Sequence, residues 1–414
     1  MTGEDARLLH RFGAAVEAAQ VTGSLGLAVS GGGDSMAMLH LAARAGLALR
    51  AVTVNHGLRP EAAAEARFVG DVCAGLGVPH DILTWQGWDG RGNLQAAARS
   101  ARYGLMADWA RDGGIGTVAL AHTLDDQAET FLMRLGRAAG VDGLAGMPPQ
   151  RHAFGVAWLR PLLFAERDEL RGFLRRGGHG WCEDPSNADA RFARVRARQA
   201  LAALAPLGID AHVLSEVAGH MAAARHALEV QTTAAALDCA RVDRGDVVFD
   251  REKLFALPPE ITRRLLEHAL KWVSSAEFGP RAGSLAEFTA ALASGAEVTL
   301  HGCRALVAGG AIRVTREYQA VRDAVAAPGA LWDGRWRVTG PWEQGLELRA
   351  LGEAGLRACP GWRDTGLPRP SLLASPGVWR GAVLVAAPLA GPGPGWRAEP
   401  ANGAEGFVQS IISH

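Results

Sequence analysis

Apolar and polar positions follow two different periods along the first half of the chain. Residues 25–29 (LGLAV) form a short apolar run that ends in a polar, glycine-rich stretch, and a helical pattern follows over 36–44. Residues 49–54 (LRAVTV) form a second strand candidate. Residues 61–76 place Phe68, Val69, Val72 and Leu76 at helical spacing. A third strand is expected at 82–85. A helix over 95–111 has Asn93 as a candidate N-cap, and a fourth strand at 117–121 (TVALA) runs into His122 and a helix reaching Arg137. Strands alternating with helices predict an α/β fold, a doubly wound parallel sheet with helices on both faces.

After about residue 145 the pattern changes. Pro148, Pro149 and Pro161 punctuate a connecting segment, a helix is expected over 165–176, and residues 181–187 (WCEDPSN) look like an ordered loop. Residues 194–240 are rich in alanine and mostly helical in pattern, and amphipathic stretches follow at 260–272 and 284–294. From Glu297 onward short alternating runs appear, broken by glycine and proline, with six of the 12 tryptophans between Trp332 and Trp396. Three regions are expected: an α/β domain over 1–200, a helical region over 201–295, and a small β-rich region over 296–414.

The sharpest local feature is Ser30-Gly31-Gly32-Gly33-Asp34-Ser35, between an expected strand and an expected helix. Consecutive glycines let backbone amides curl toward one centre, and the following helix N-terminus adds partial positive charge. Ser30 and Ser35 can donate hydroxyl hydrogen bonds. The loop therefore suits a polyphosphate, and Asp34, of the wrong charge for phosphate, suits Mg²⁺. Composition sharpens this reading. Only Lys253 and Lys271 are lysines among the 43 basic residues, so the first 200 residues contain none. That excludes a Walker A loop, which requires G-x-x-x-x-G-K-[ST]. Met36 excludes the dinucleotide pattern G-x-G-x-x-G beginning at Gly31. What remains, S-G-G-x-D-S, resembles the PP-loop of the ATP pyrophosphatases, which split ATP into AMP and pyrophosphate.

Two further stretches carry chemistry. His122, Asp126 and Glu129 fall on one helix face at i, i+4 and i+7, with Asp125 off that stripe. Two carboxylates beside an imidazole suit a cationic substrate or a metal; an acidic first turn also serves a helix by itself. Arg99 and Arg102 share a face three residues apart and are candidates for phosphate or RNA backbone. Charge supports nucleic acid only locally. The chain balances 43 basic against 43 acidic residues, and residues 1–200 hold 22 arginines against 21 acidic residues. Yet Arg191, Arg194, Arg196 and Arg198 form one cluster, and Arg171, Arg175 and Arg176 another, each able to track RNA phosphates.

Other classes are excluded or disfavoured. No apolar run reaches the ~18 residues of a membrane span, and the charged N-terminal stretch lacks a secretory pattern. The five cysteines are scattered without a CxxC, which points to reduced thiols in a cytoplasm and against a zinc or iron–sulfur framework.

Taken together, the motifs SGGGDS (30–35), VNHGLR (54–59), GNLQAAARSARY (92–103), AHTLDDQAET (121–130), RAAGVDGLAGM (137–147), RPLL (160–163) and WCEDPSNADARFARVRAR (181–198) resemble the bacterial tRNA(Ile)-lysidine synthetase family over about the first 200 residues. The resemblance implies an enzyme that adenylates the C2 oxygen of the wobble cytidine in tRNA(Ile) with anticodon CAU. Free L-lysine then displaces AMP at C2. It implies ATP and Mg²⁺ as cofactors and no obligate protein partner. Ser30, Gly31, Gly32, Gly33, Asp34 and Ser35 would bind ATP, with Asp34 holding the metal. Asp126 and Glu129 would bind lysine, and Arg102, His122 and Arg137 would lie with Asp34 near the reacting groups. Residues 1–200 would be the PP-loop ATP-binding catalytic domain, and Arg191, Arg194, Arg196 and Arg198, with the helical region over 201–295, would contact tRNA. Departures are modest: Thr123 stands where the family often has a second histidine, RAAG replaces the commoner RGSG, and Val195 replaces the usual asparagine. Beyond residue 200 the resemblance is one of arrangement only.

Overall fold

The computed structural model describes residues 2–55, 57, 62–85, 94–183, 191–391, 393–401, 403 and 405–412, with residues 94–96 described in backbone only. His56 and Arg59, the candidate cap Asn93, and the expected loop residues 184–187 lie outside them. The chain divides into two compact units, Met1–Arg225 and His226–His414.

The first unit runs α1 (Gly3–Ala18), β1 (Leu25–Ala28), α2 (Gly33–Arg44), β2 (Leu49–Asn55), α3 (Ala62–Gly75), β3 (His80–Thr84), α4 (Leu94–Asp112), β4 (Thr117–Leu120), α5 (Leu124–Leu135), α6 (Val141–Leu144), β5 (Gln150–Ala153), β6 (Val156–Leu159), α7 (Arg167–Arg176) and α8 (Ala193–Leu204), then the start of α9 (Ala211–Cys239). The strands form one sheet of order β3-β2-β1-β4-β6-β5, parallel except for β5. Strand order reverses between β1 and β4, so their C-terminal ends flank the crevice where such sheets bind ligands. Helices cover both faces. Leu8, Phe12, Met36, Met38, Phe173 and Leu174 bury on one side, and Met106, Trp109, Val118 and Trp158 on the other.

The four expected strands and the flanking helices appear within a few residues of their expected bounds. The segment expected as a proline-punctuated connection instead contains the hairpin β5–β6. Its turn is Phe154-Gly155, both left-handed, at φ 56° and 75°. Strand β6 is wholly buried because it pairs with β4 on its other side, a contact that four residues of local sequence do not reveal.

The second unit continues with β7 (Ala240–Asp243), β8 (Asp246–Asp250), α10 (Arg251–Ala256), α11 (Pro259–Ser274), α12 (Ala282–Ser294), β9 (Val298–Leu300), β10 (Cys303–Ala308) and β11 (Ala311–Arg316). These strands make an antiparallel sheet of order β7-β8-β11-β10-β9, packed against α11 and α12 through Leu265, Leu266, Leu270, Phe288 and Leu292. Short strands after residue 320 enclose a tryptophan-rich core that includes Trp332, Trp336 and Trp396. The expected division at 295/296 is therefore crossed by a ladder, β8 with β11, and the region expected to be helical holds the β7–β8 hairpin. A continuous alanine-rich pattern hides that hairpin, because α9 runs directly into β7.

His40 on α2 is 5% exposed, and its ring stacks on His179 with centroids 3.6 Å apart. Burial, then the neighbouring His179 and Arg44, push its pKa down to about 4. The folded state thus refuses a proton that the unfolded chain accepts below about 6.5. Stability is full above that pH and falls as pH drops toward 4, by about 2–3 kcal/mol at the low end. Thermal melts at pH 7.5 and pH 5 should show a smaller drop for His40→Gln than for wild type; equal drops would contradict this account.

Candidate active site

The phosphate loop is built as its sequence suggests. The Ser30 amide and hydroxyl meet Ser35 Oγ at 3.1 and 3.2 Å, and Ser35 Oγ donates to the Gly32 carbonyl at 2.9 Å. These bonds close the loop into a ring. Gly31 sits at φ +89°, a conformation that favours glycine, and Gly32 caps α2 with no side chain over its end. The first amides of α2 are left free of a side-chain cap, as an anion site requires. The Cys182 amide donates to the Gly31 carbonyl at 2.9 Å and pins the 181–183 segment on the loop.

The acidic pair sits at the start of α5, beyond the C-terminal end of β4. Asp126 forms a capping box with Thr123, accepting from its amide at 2.9 Å, while the Asp126 amide donates to Thr123 Oγ1 at 3.3 Å. The first-turn role is thus real, and Thr123 supplies its other half. A helix cap does not explain the rest. Glu129 is 1% exposed, and its Oε2 has no hydrogen-bond partner. Asp34 is buried enough for its pKa to rise to about 6, against the opposing pull of the Arg167 cation and helped by repulsion from Asp126.

Arg167, at the first position of α7, joins these groups. Its Nη1 lies 3.2 Å from Glu129 Oε1, its Nη2 3.3 Å from Asp126 Oδ1, and its Nε 3.5 Å from Asp34 Oδ2. Its amide donates to Asp125 Oδ2 at 2.8 Å. So Asp125, off the expected stripe, fixes the helix that carries the cation. Arg198 Nε reaches Glu129 Oε1 at 3.0 Å, and Arg194 Nη1 lies 3.6 Å from Asp126 Oδ1. Two of the four arginines expected to face tRNA phosphates therefore turn toward the acidic pair. Arg191 and Arg196 are exposed, with Arg196 Nη1 donating to the Arg191 carbonyl at 2.8 Å.

Three arginines, Arg102, Arg160 and Arg194, lie near His122. His122 is held well below its usual pKa by burial, with Arg160, Arg194 and Arg102 opposing its charge and Asp126 favouring it, so it is neutral at physiological pH. His122 Nδ1, Arg102 Nε and Arg160 Nε are buried without partners. Arg137 is not part of this group. It is exposed beyond the C-terminal end of α5, about 16 Å along the helix from Asp126.

Arg167 and Arg171 are the members that sequence reasoning missed as site residues. Arg171, expected to track RNA, lies against the phosphate loop. A Cβ on Gly33 would come within 3.7 Å of its Cγ, and its Nε is buried without a partner. The i, i+4 spacing of Arg167 and Arg171 was the available signal, since it puts both on one face of α7. In a region without lysine, Arg171 supplies the cation beside the phosphate loop. The rest of that cluster serves structure: Arg176 binds Asp5 of α1 at 2.7 Å, and Arg175 lies over the Trp181 ring.

No group of three or more potential metal-ligating side chains occurs among the described residues. A Mg²⁺ held by a single carboxylate and substrate phosphates fits what is present, because Asp34 borders the phosphate loop and its burial favours a cation partner. Elsewhere, a cavity of about 370 Å³ in the second unit is lined by His268, Lys271, Trp272, Ser275 and Arg335, and none of the expected site residues borders it.

A loop that cradles phosphate at a sheet switch point defines a nucleotide-dependent enzyme of the PP-loop class, and residues 5–205 match the PP-loop domain family. The whole chain narrows this further. It is 54% identical over 400 residues to the tRNA(Ile)-lysidine synthase of Ruegeria pomeroyi, covering 96% of each chain. It is 38% identical over 300 residues to that of Zymomonas mobilis, covering 71% of this chain and 89% of the relative. It is 37% identical to that of Wolbachia pipientis over 78% of each. The chain belongs to the tRNA(Ile)-lysidine synthase family.

The loop geometry separates two glycines. Gly31→Ala forces a left-handed alanine and should destabilise by about 1–2 kcal/mol while raising the KM for ATP. Gly32→Ala, at φ −70° with only Ser30 Oγ near a new Cβ, should do far less to stability. Thermal denaturation with ATP kinetics distinguishes them, and equal destabilisation would contradict the assigned loop strain.

Proposed function

We propose that this chain ligates free L-lysine to C2 of the wobble cytidine in tRNA(Ile) with anticodon CAU, using ATP and releasing AMP and pyrophosphate. The observation that carries this reading is the convergence of Asp34, Asp126 and Glu129, from two neighbouring strand ends, around one cation position. A phosphate loop alone serves any PP-loop enzyme. An acidic cage for a substrate cation beside it suits an amine nucleophile.

The amides of the phosphate loop and α2, with the Ser30 and Ser35 hydroxyls, hold the ATP phosphates, and Arg171 balances their charge. Asp34 would hold Mg²⁺, which when bound offsets negative charge on those phosphates. The cytidine C2 oxygen attacks the α-phosphate and pyrophosphate leaves. That converts a poor leaving group at C2 into AMP. Arg102 and Arg160, whose buried Nε groups lack protein partners, donate toward the phosphoryl oxygens on this side of the site. An amine of lysine then adds at C2, AMP departs with the former C2 oxygen, and the amine gives up a proton. The two carboxylates bind lysine's ammonium groups, and one of them takes that proton. His122, neutral and so able to accept a hydrogen bond, orients rather than repels the incoming cation. Arg191 and Arg196, exposed at the start of α8, together with the region beyond residue 200, contact the tRNA. The reaction takes place in the cytoplasm, consistent with five free cysteines. No single helix among the described residues is long and apolar enough to cross a membrane.

Steady-state transfer of labelled lysine to tRNA(Ile) tests the roles. Asp34→Ala should abolish transfer with the fold intact. Asp126→Asn and Glu129→Gln should raise the KM for lysine at least tenfold more than the KM for ATP. Equal effects on both substrates would place lysine elsewhere.

A further inference from the structure

In the structure the acidic cage already contains a cation. The Arg167 guanidinium touches Asp34, Asp126 and Glu129 at once, with its side chain 15% exposed. Three features set this apart from an ordinary structural ion pair. First, the contacts are long, 3.2–3.5 Å, where charge-assisted N–H···O bonds usually measure about 2.7–2.9 Å. A flat guanidinium spread over three carboxylates reaches none of them well. Second, Glu129 Oε2 is left without a partner although the residue is 1% exposed, so an acceptor is still open to a better-fitting donor. Third, the anchor of Arg167 is its backbone: the amide is held by Asp125 at 2.8 Å, independently of the side chain. The side chain can leave without undocking α7.

We propose that Arg167 is an internal stand-in for the substrate's ammonium group, which lysine displaces on binding. The proposal rests on the assignment of Asp126 and Glu129 as the lysine site. A compact ammonium carries three donors on one atom and fits a converging carboxylate cage better than a planar fork does. Two consequences follow from the geometry. Arg167 lowers the apparent affinity for lysine by the fraction of enzyme in which it fills the cage. Its departure also strips Asp34 of a counter-charge, readying that carboxylate for the cation that accompanies ATP. Lysine and ATP thus favour each other's binding, reciprocally. The released guanidinium is one helical turn from Arg171 on the same face of α7, so it swings toward the phosphate loop. Arg167 is accordingly a positioning residue that couples two substrate sites.

The test uses the full-length chain and lysine binding by calorimetry, with and without ATP and Mg²⁺. In Arg167→Gln, Asp126 and Glu129 keep Arg194 and Arg198 as partners, so their buried charges are not abandoned. Removing the competing guanidinium should lower the lysine Kd in Arg167→Gln, by about tenfold for a cage filled nine-tenths of the time. The tightening of ATP binding by lysine, expected in wild type, should vanish in the variant. A lysine Kd that is unchanged or higher, as a purely structural arginine would give, overturns the proposal. A measurement on wild type stands independently of how the variant folds. Modification by phenylglyoxal without ATP, mapped by mass spectrometry, should be several-fold faster at Arg167 when lysine is saturating. Unchanged or slower modification contradicts displacement. Asp126→Asn separates the two levels of the argument. If it fails to weaken lysine binding, the site assignment itself falls and the proposal with it. If it weakens binding but Arg167→Gln does not tighten it, only the role of Arg167 falls.

Discussion

The active site depends on one electrostatic constraint: several carboxylates are brought close together in a partly buried crevice and must be balanced by cations. Asp34 comes from the first turn of α2, just after β1, and Asp126 and Glu129 from the first turns of α5, after β4. Without counter-charge, burying them together would cost several kcal/mol. Arg167 supplies that charge from α7, with Arg194 and Arg198 adding support from α8. Helices distant in sequence are thereby tied to the crevice by the chemistry of the crevice. Asp125 completes the link by fixing the N-terminus of α7 through its backbone amide. The arginines that stabilise the folded domain are thus held against the carboxylates of the crevice.

The sheet topology makes this convergence possible. Strands β1 and β4 are neighbours although about ninety residues separate them, and strand order reverses between them. Each strand end therefore opens into the same crevice: one contributes a glycine loop rich in amides, the other a helix start rich in acid. Opposite charge arrangements are thus set side by side, one suited to phosphate and the other to a cation. Around His122, burial and three arginines make a third environment, in which an imidazole stays neutral. A chain with no net formal charge can serve a polyanionic RNA because its charges are segregated locally instead of averaged.

The parts of the site readable from sequence are those whose meaning is local. The phosphate loop is six consecutive residues whose backbone needs are written in their identities. His122, Asp126 and Glu129 share a face by helical periodicity alone. Arg167 was not legible, because its contact with Asp34 spans 133 residues and exists only once β1, β4 and α7 are assembled. The arginines of α8 show the same limit: their clustering was evident, but which faced the acidic pair depended on how α8 packs on α5. Arg137 was misplaced for a related reason. It belongs to a motif adjacent in sequence, but it projects beyond the far end of α5. In the fold, the α/β alternation was legible throughout. The β5–β6 and β7–β8 hairpins were not, since four- and five-residue strands beside proline or after an alanine-rich helix carry little periodic signal.

The most direct measurement of the central claim is the chemical identity of the product. Unmodified tRNA(Ile) with anticodon CAU, incubated with the purified chain, ATP, Mg²⁺ and isotopically labelled lysine, is digested to nucleosides and analysed by mass spectrometry. The account predicts a single new nucleoside at the wobble position, cytidine carrying one lysine with loss of water, formed with one AMP and one pyrophosphate per modification. Active protein that cleaves ATP to AMP yet leaves the wobble cytidine without lysine would contradict it.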